Sequence, residues 1–328
     1  ISSLYSLISS LYSLISSLYS LISSLMPSDL QQLSPEPFQE EKLPPPSQKI
    51  PGIQPPGSHS GTPLTSRIIS SLSFIQKYSI LPFAGFSLIH LSSVVVLPAL
   101  FGVDAGNEAI DVGRELYQTA NLEPIVLGSV VAHVASGVLL HILRKLIDLR
   151  KHGIANKASK GKKKPVAKPR NNEGTVNDVN EGLGGVLSIL GFSSIKSITY
   201  RWFGVSPLSF SGYVLIPLLA GHVLKMRVNP LLVDGDSSYV DLSYMSYALS
   251  TSRVVFPFYV FLVFVGAYHM VSGSNRLLGL FSRKARKVAY IVIYSLLSLS
   301  VVSLVNILRM PPVVASMAER FSRYIDYI

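Results

Sequence analysis

Five apolar segments alternate with polar or basic loops through the larger, C-terminal part of the chain. Each is close to the roughly 20 residues that an α-helix needs to cross the hydrocarbon core of a bilayer. A weaker segment, Leu183 to Phe192, is too short to cross, and we expect an amphipathic or re-entrant piece there. The pattern predicts an all-α membrane protein, a five-helix transmembrane bundle with spans at about 79–101, 124–143, 207–226, 254–272 and 288–308.

The 76 residues before the bundle show no such pattern. Residues 1–25 repeat the heptad Ile-Ser-Ser-Leu-Tyr-Ser-Leu without a basic residue. A targeting or membrane-surface helix normally carries Lys or Arg, so we expect a translated tandem repeat or a misplaced start, with Met26 as the true start. Residues 26–76 begin with a stretch rich in Pro, Gln, Ser and Glu, which is typical of a disordered tail. The bundle would then occupy residues 77–328.

Charge predicts how the bundle is oriented. Of 328 residues, 48% are apolar and 14% charged, with a net charge of +11. Residues 144–170 contain eleven Lys and Arg residues, and the loop between the last two spans contains five. This asymmetry predicts a cytosolic tail and cytosolic basic loops, and it argues against a nucleic-acid partner. The basic loop can also contact anionic lipid headgroups. Cysteine is absent, which excludes disulfides and thiolate chemistry.

Four histidines lie inside the first four spans, and they follow a repeated pattern. His133 and His269 each open a His-x-x-Ser-Gly pentad, while His90 and His222 each follow a serine by eleven residues. The pattern predicts a duplicated two-helix unit. The residues concerned are Ser79, His90, His133, Ser136, Gly137, Ser211, His222, His269, Ser272 and Gly273.

Three roles are open for these histidines. Four helices that each direct an imidazole inward supply the ligands of two bis-His haem groups. Ser136 and Ser272 would then hydrogen-bond within the site, and Gly137 and Gly273 would make room for the macrocycle. Alternatively, small residues allow close helix packing and the histidines bond to carbonyls or serines of other helices. A transport or proton pathway is the third role.

A short motif in the tail is a candidate docking segment. Leu30, Leu33 and Phe38 surround the Pro-x-Pro of Pro35 and Pro37. A proline pair favours an extended conformation and thereby lowers the entropy lost on docking into a groove. A plain linker is the alternative, since Pro-x-Pro also occurs in disordered tails by chance.

Longer matches in the chain resemble known proteins. Lys77 to His90 resembles the first helix of the cytochrome b anchor subunits of succinate dehydrogenase and fumarate reductase, and His133 to Gly137 resembles the second. Three further features resemble a fungal family: the tail motif, the segment Ser206 to His222 and the segment Tyr268 to Gly273. This similarity covers the chain from Met26 onward. That family comprises multispanning mitochondrial outer-membrane proteins that suppress loss of the endoplasmic reticulum to mitochondria tether and act in lipid homeostasis.

The resemblance implies a function more specific than composition does. Family members recruit a bridge-like, chorein-type lipid-transfer protein to mitochondria through a tail Pro-x-Pro. The matching positions here are Leu30, Leu33, Pro35, Pro37 and Phe38. The resemblance therefore implies an outer-membrane adaptor at an organelle contact site. The sequence itself shows no catalytic constellation of an enzyme.

Two further hypotheses stand beside the adaptor. One is a bis-His b-type haem protein for electron transfer or redox sensing. By analogy with two-haem anchor subunits, His90 would pair with His222 and His133 with His269, with Arg144 and Arg276 as partners of the haem propionates. The other is lipid handling by the bundle itself, such as scrambling between leaflets.

Overall fold

The computed structural model describes residues 63–119, 121–158, 183, 198–203, 205–280 and 282–327. Residues 61–328 form one compact unit. Within the described ranges the regular structure is helical, which confirms the predicted fold class. In chain order the helices are α1 Pro63–Tyr78, α2 Leu81–Leu91, α3 Leu97–Leu100, α4 Val103–Tyr117, α5 Leu122–Ala158, α6 Ile198–Phe203, α7 Pro207–Val223, α8 Asn229–Asp234, α9 Leu242–Thr251, α10 Val255–Leu277, α11 Arg283–Leu308 and α12 Ala315–Asp326.

Five helical segments are long and apolar enough to cross a membrane. We number them span 1 to span 5: Thr65–Leu100, Leu122–Ile147, Pro207–Asp234, Val255–Leu277 and Lys284–Leu308. Span 1 begins well before the predicted residue 79, because a helix continues through polar residues after the apolar pattern stops. Of the weak segment at 183–192, Leu183 is described, and its carbonyl accepts a hydrogen bond from the Tyr290 hydroxyl at 3.3 Å.

The two halves of the bundle share an unusual backbone feature. A π-helical turn at Ser92–Val96 follows His90, and another at Leu224–Val228 follows His222. Such turns are rare and often occur at functional sites. Each histidine thus lies two residues before a π-helical turn, which is a structural sign of the predicted duplication.

A buried proline follows each turn at the same spacing. Pro98 and Pro230 are both fully buried. Proline cannot donate a helical hydrogen bond, so Pro98 leaves the Val94 carbonyl free. The Ser303 hydroxyl of span 5 donates to that carbonyl at 2.8 Å. The carbonyl that the proline leaves free in span 1 therefore forms a polar contact between spans 1 and 5.

At the end of the bundle opposite the basic loops, the helices α4, α8, α9 and α12 form a structure that we call the cap. The sequence pattern predicts loops in these regions, because their polar composition gives no hydropathy signal. Arg227 binds both carboxylate oxygens of Glu123, at 2.6 and 2.7 Å. Arg114 donates to the carbonyls of Ser238 and Val240 at 2.7 and 2.6 Å. Arg114 therefore links α4 to the segment before α9, and Arg227 links spans 2 and 3.

The C-terminal helix α12 anchors in the cap through aromatic residues. Phe321 and Tyr324 are both 0% exposed and pack against Tyr244. The Tyr324 hydroxyl donates to the Asp234 carboxylate, which also lies 3.5 Å from Arg320. Burial, and then the adjacent Asp234, raise the pKa of Tyr324. The phenol therefore stays protonated as a hydrogen-bond donor at neutral pH.

The close contact between span 1 and the cap makes Gly106 a sensitive position. A Cβ at Gly106 would lie 2.5 Å from Pro98 Cγ, 2.8 Å from Leu242 Cδ1 and 3.0 Å from the Ser93 carbonyl oxygen. A proline ring and a backbone carbonyl cannot easily move aside. We expect Gly106→Ala to destabilise the protein by about 1–3 kcal/mol, as overpacking typically does.

The measurement is the thermal unfolding midpoint in detergent. Gly128→Ala is the matched control, because a Cβ there meets no atom within 4 Å. Alanine stabilises a helix by up to about 1 kcal/mol relative to glycine, so the control should unfold at or above the parent midpoint. Equal midpoints for the two variants would refute the proposed close packing.

Candidate histidine site

The four histidines of spans 1 to 4 form two pairs inside the bundle. The ring centroids of His90 and His222 are 5.7 Å apart, with an angle of 59° between the rings. Those of His133 and His269 are 6.3 Å apart, with nearly perpendicular rings at 80°. In each pair, one histidine comes from the first half of the chain and one from the second.

The two pairs lie at different depths. The His133 ring contacts the Gln76 carbonyl, and His90 follows Gln76 by fourteen residues in the same span. At 1.5 Å per residue, this separates the pairs by about 20 Å along the bundle. The His133–His269 pair is the one nearer the basic loops.

Backbone carbonyls orient both rings of the His133–His269 pair. His133 Nδ1 lies 2.8 Å from the Gln76 carbonyl oxygen, and His269 Nδ1 lies 3.2 Å from that of Leu208. A carbonyl only accepts, so each Nδ1 carries the proton. In the neutral ring this fixes the tautomer and leaves an unprotonated Nε2.

These two anchors occupy equivalent places in the two halves. Gln76 precedes Ser79 by three residues, and Leu208 precedes Ser211 by three. The Ser211 hydroxyl, 3.2 Å from His269 Nδ1, adds a second contact in the later half. In contrast, the Ser79 hydroxyl is buried without a hydrogen-bond partner among the described residues. The sequence does not predict either carbonyl contact, because a backbone group has no signature in the side-chain pattern.

The His90–His222 pair is held differently. His222 Nδ1 lies 3.4 Å from the Tyr259 hydroxyl, and the His90 ring stacks on Phe86 with centroids 5.3 Å apart. Among the described residues, no hydrogen bond involves a ring nitrogen of His90 or the Nε2 of the other three histidines. This pair therefore has no carbonyl that fixes its ring orientation.

The serines of the two pentads are both buried but differ in their hydrogen bonds. The Ser136 hydroxyl donates within its own helix, to the carbonyls of Ala132 at 2.7 Å and His133 at 3.0 Å. It makes no bond across the bundle, because a helical serine readily bonds to the carbonyl one turn earlier. Ser272 is 1% exposed, and its hydroxyl lies beside the phenol of Tyr268, one turn earlier in the same helix.

The glycines of the pentads also differ. A Cβ at Gly137 would lie 2.9 Å from Gln76 Nε2, so this glycine lets spans 1 and 2 approach closely. A Cβ at Gly273 would meet no atom within 4 Å. Gly137 therefore fits the packing alternative, whereas Gly273 borders open space.

Two arginines lie on the same helix faces as the histidines of the His133–His269 pair. Arg144 follows His133 by eleven residues and Arg276 follows His269 by seven, and both spacings return to the same helix face. Their positive charges are close enough to repel each other. Neither arginine forms an ion pair with the described acidic residues. Next to Arg276, the side-chain nitrogen of Asn275 is buried without a hydrogen-bond partner in the same part of the chain.

Other candidate residues are not part of either pair. His141 packs edge-on against Tyr213, with centroids 6.1 Å apart. The docking motif of Leu30, Leu33, Pro35, Pro37 and Phe38 lies outside the described residues.

Gly212 makes the anchoring of His269 testable. A Cβ at Gly212 would lie 2.9 Å from His269 Cε1 and 3.4 Å from its Nδ1. We expect Gly212→Ala to displace the ring from the Leu208 carbonyl and to destabilise the protein by about 1–3 kcal/mol. Thermal unfolding in detergent measures the loss.

The control for this substitution is Gly266→Ala in span 4. The nearest atom to a Cβ there is Leu215 Cδ1 at 3.9 Å, an ordinary contact. This variant should retain the parent midpoint. If Gly212→Ala were equally stable, the tight contact between His269 and span 3 would be wrong.

Comparison with known proteins supports the family that the sequence resembles. Residues 217–310 match the family model described as MDM10-complementing protein 1, transmembrane domain. The chain is also 26% identical, over 71% of its length and 73% of the relative, to the mitochondrial adapter protein MCP1 of Saccharomyces cerevisiae. No solved structure matches, and the resemblance to cytochrome b anchor subunits stays a prediction. Over residues 217–310 the chain is therefore similar to the transmembrane domain described for MDM10-complementing protein 1.

Proposed function

We propose that this protein is a mitochondrial membrane adaptor whose bundle fixes it in the bilayer and whose tail captures a partner. The observation that carries the proposal is the similarity, over 71% of the chain, to a protein named a mitochondrial adapter. The surface of the bundle supports the anchoring part. Leu88, Val131 and Ile291 are 71%, 67% and 64% exposed, as expected of side chains that face lipid.

Five crossings would put the N-terminal tail, the segment after span 2 and the loop after span 4 on one side of the membrane. The cap and α12 lie on the other side. Since Lys and Arg concentrate on the tail side, the positive-inside bias favours a cytosolic tail in the mitochondrial outer membrane. A cytosolic tail is accessible to soluble partners.

The partner that we propose is a bridge-like, chorein-type lipid-transfer protein. Pro35 and Pro37 favour an extended segment, from which Leu30, Leu33 and Phe38 supply apolar anchors for a groove. Such a segment loses little conformational entropy on binding, since the prolines already restrict it. Recruitment would bring a lipid-transfer protein to the membrane in which the bundle lies, and membrane lipids would be its cargo.

The tail provides its own matched control. We expect the double substitution of Pro35→Ala with Pro37→Ala to abolish recruitment, because it removes the rigid Pro-x-Pro. Pro44→Ala with Pro46→Ala alters a second Pro-x-Pro in the same tail and should leave recruitment intact. The measurement is the fraction of a fluorescent chorein-type protein at mitochondria in yeast cells in which this chain replaces the endogenous adapter.

Membrane insertion of each variant is checked by carbonate extraction. Normal recruitment by an inserted Pro35→Ala, Pro37→Ala variant would refute the proposed motif. Equal loss in both double variants would show that general tail stiffness, and not this segment, is required. A synthetic peptide of residues 27–41 should compete with the tail for the purified partner, whereas the doubly substituted peptide should not.

A further inference from the structure

We propose that the bundle binds haem b between His133 and His269, with Arg144 and Arg276 holding the propionates. The proposal does not depend on the adaptor function. It combines the spacing of the two rings, the hydrogen bonds that orient them and the charges beside them.

The spacing of the rings fits one iron between them. A first-row metal binds imidazole nitrogen at about 2 Å. The centroid of an imidazole lies about 1 Å behind its nitrogen, so two rings on opposite sides of one metal have centroids about 6 Å apart. The observed distance between the His133 and His269 centroids is 6.3 Å.

The hydrogen bonds leave the correct nitrogen free. A metal-bound histidine usually donates its other ring N–H to a carbonyl or carboxylate, which fixes its tautomer and orientation. His133 does so to Gln76 and His269 to Leu208. Neither Nε2 has a hydrogen bond among the described residues.

Two exposed arginines near the pair can bind an anion. Arg144 and Arg276 lie on the histidine faces, repel each other and have no described acidic partner. The buried side-chain nitrogen of Asn275 adds an unpaired donor. Two carboxylates at this end of the pair would neutralise both guanidinium groups and accept from the amide. Haem b carries two propionates on one edge. This arrangement matches a histidine pair that has Arg144 and Arg276 on one side.

A bare metal ion fits these residues less well. No group of three or more His, Asp or Glu side chains in the described part of the chain could hold one. Two imidazoles alone leave most coordination positions of a metal ion open, whereas a macrocycle supplies four further ligands. When bound, such a group would provide one-electron exchange.

The His90–His222 pair is outside the proposal. Its centroids are closer, at 5.7 Å, and no carbonyl orients either ring. It serves instead as an internal comparison for the site that we propose.

The test is the visible absorption spectrum of the full chain, purified in detergent from cells supplied with haem. We expect a low-spin b-type spectrum in both the oxidised and the reduced protein. His269→Ala should remove it, whereas the control His141→Ala should retain it. A flat spectrum from monodisperse parent protein, or a spectrum that depends on His222 and not on His269, would overturn the proposal.

Two further variants keep the test decisive if His269→Ala does not fold. His133→Met exchanges one axial ligand for a thioether and should raise the midpoint potential. Arg276→Gln removes a positive charge beside the propionates, so it should lower the potential and weaken haem retention. Unchanged potentials in both folded variants would exclude this site. Colourless parent protein that retains a phospholipid, lost in Arg276→Gln, would assign the arginines to a lipid headgroup instead.

Discussion

The bundle depends on one constraint: no water is available within a bilayer to satisfy a backbone group that leaves the helical hydrogen-bond pattern. Side chains of other spans fulfil this role here. Ser303 donates to the Val94 carbonyl and Asn306 to the Pro98 carbonyl. His133 and His269 donate to Gln76 and Leu208. The Val94 and Pro98 carbonyls of span 1 are therefore bound by span 5, and the histidine contacts link span 1 to span 2 and span 3 to span 4.

Duplication explains why these contacts occur in pairs. The π-helical turns and the buried prolines recur at the same distance from His90 and His222. The two halves have nevertheless diverged. Span 5, the added helix, contacts the first half through Ser303 and Asn306. Of the two equivalent serines, Ser211 contacts His269, while Ser79 is left without a described partner.

The two ends of the bundle suit different tasks. One end carries Arg144 and Arg276, which have no ion-pair partner among the described residues, and it is the side on which the docking tail is proposed. At the other end lies the cap, where Arg114 donates to the carbonyls of Ser238 and Val240 and Tyr324 donates to Asp234. Partner capture and any anionic ligand thus belong on the basic side. The cap packs closely against span 1 at Gly106.

The sequence by itself determined the number of spans, the all-helical class, the two-fold repeat and the charge asymmetry. These properties depend on composition and on spacing along one helix, which can be read without knowing any neighbour. It did not reveal the cap, whose helices are polar enough to resemble loops. It also could not show that Ser136 bonds to its own helix, that Gly137 accommodates Gln76, or that carbonyls orient His133 and His269. Those depend on contacts between residues far apart in the chain, and only tertiary packing decides them.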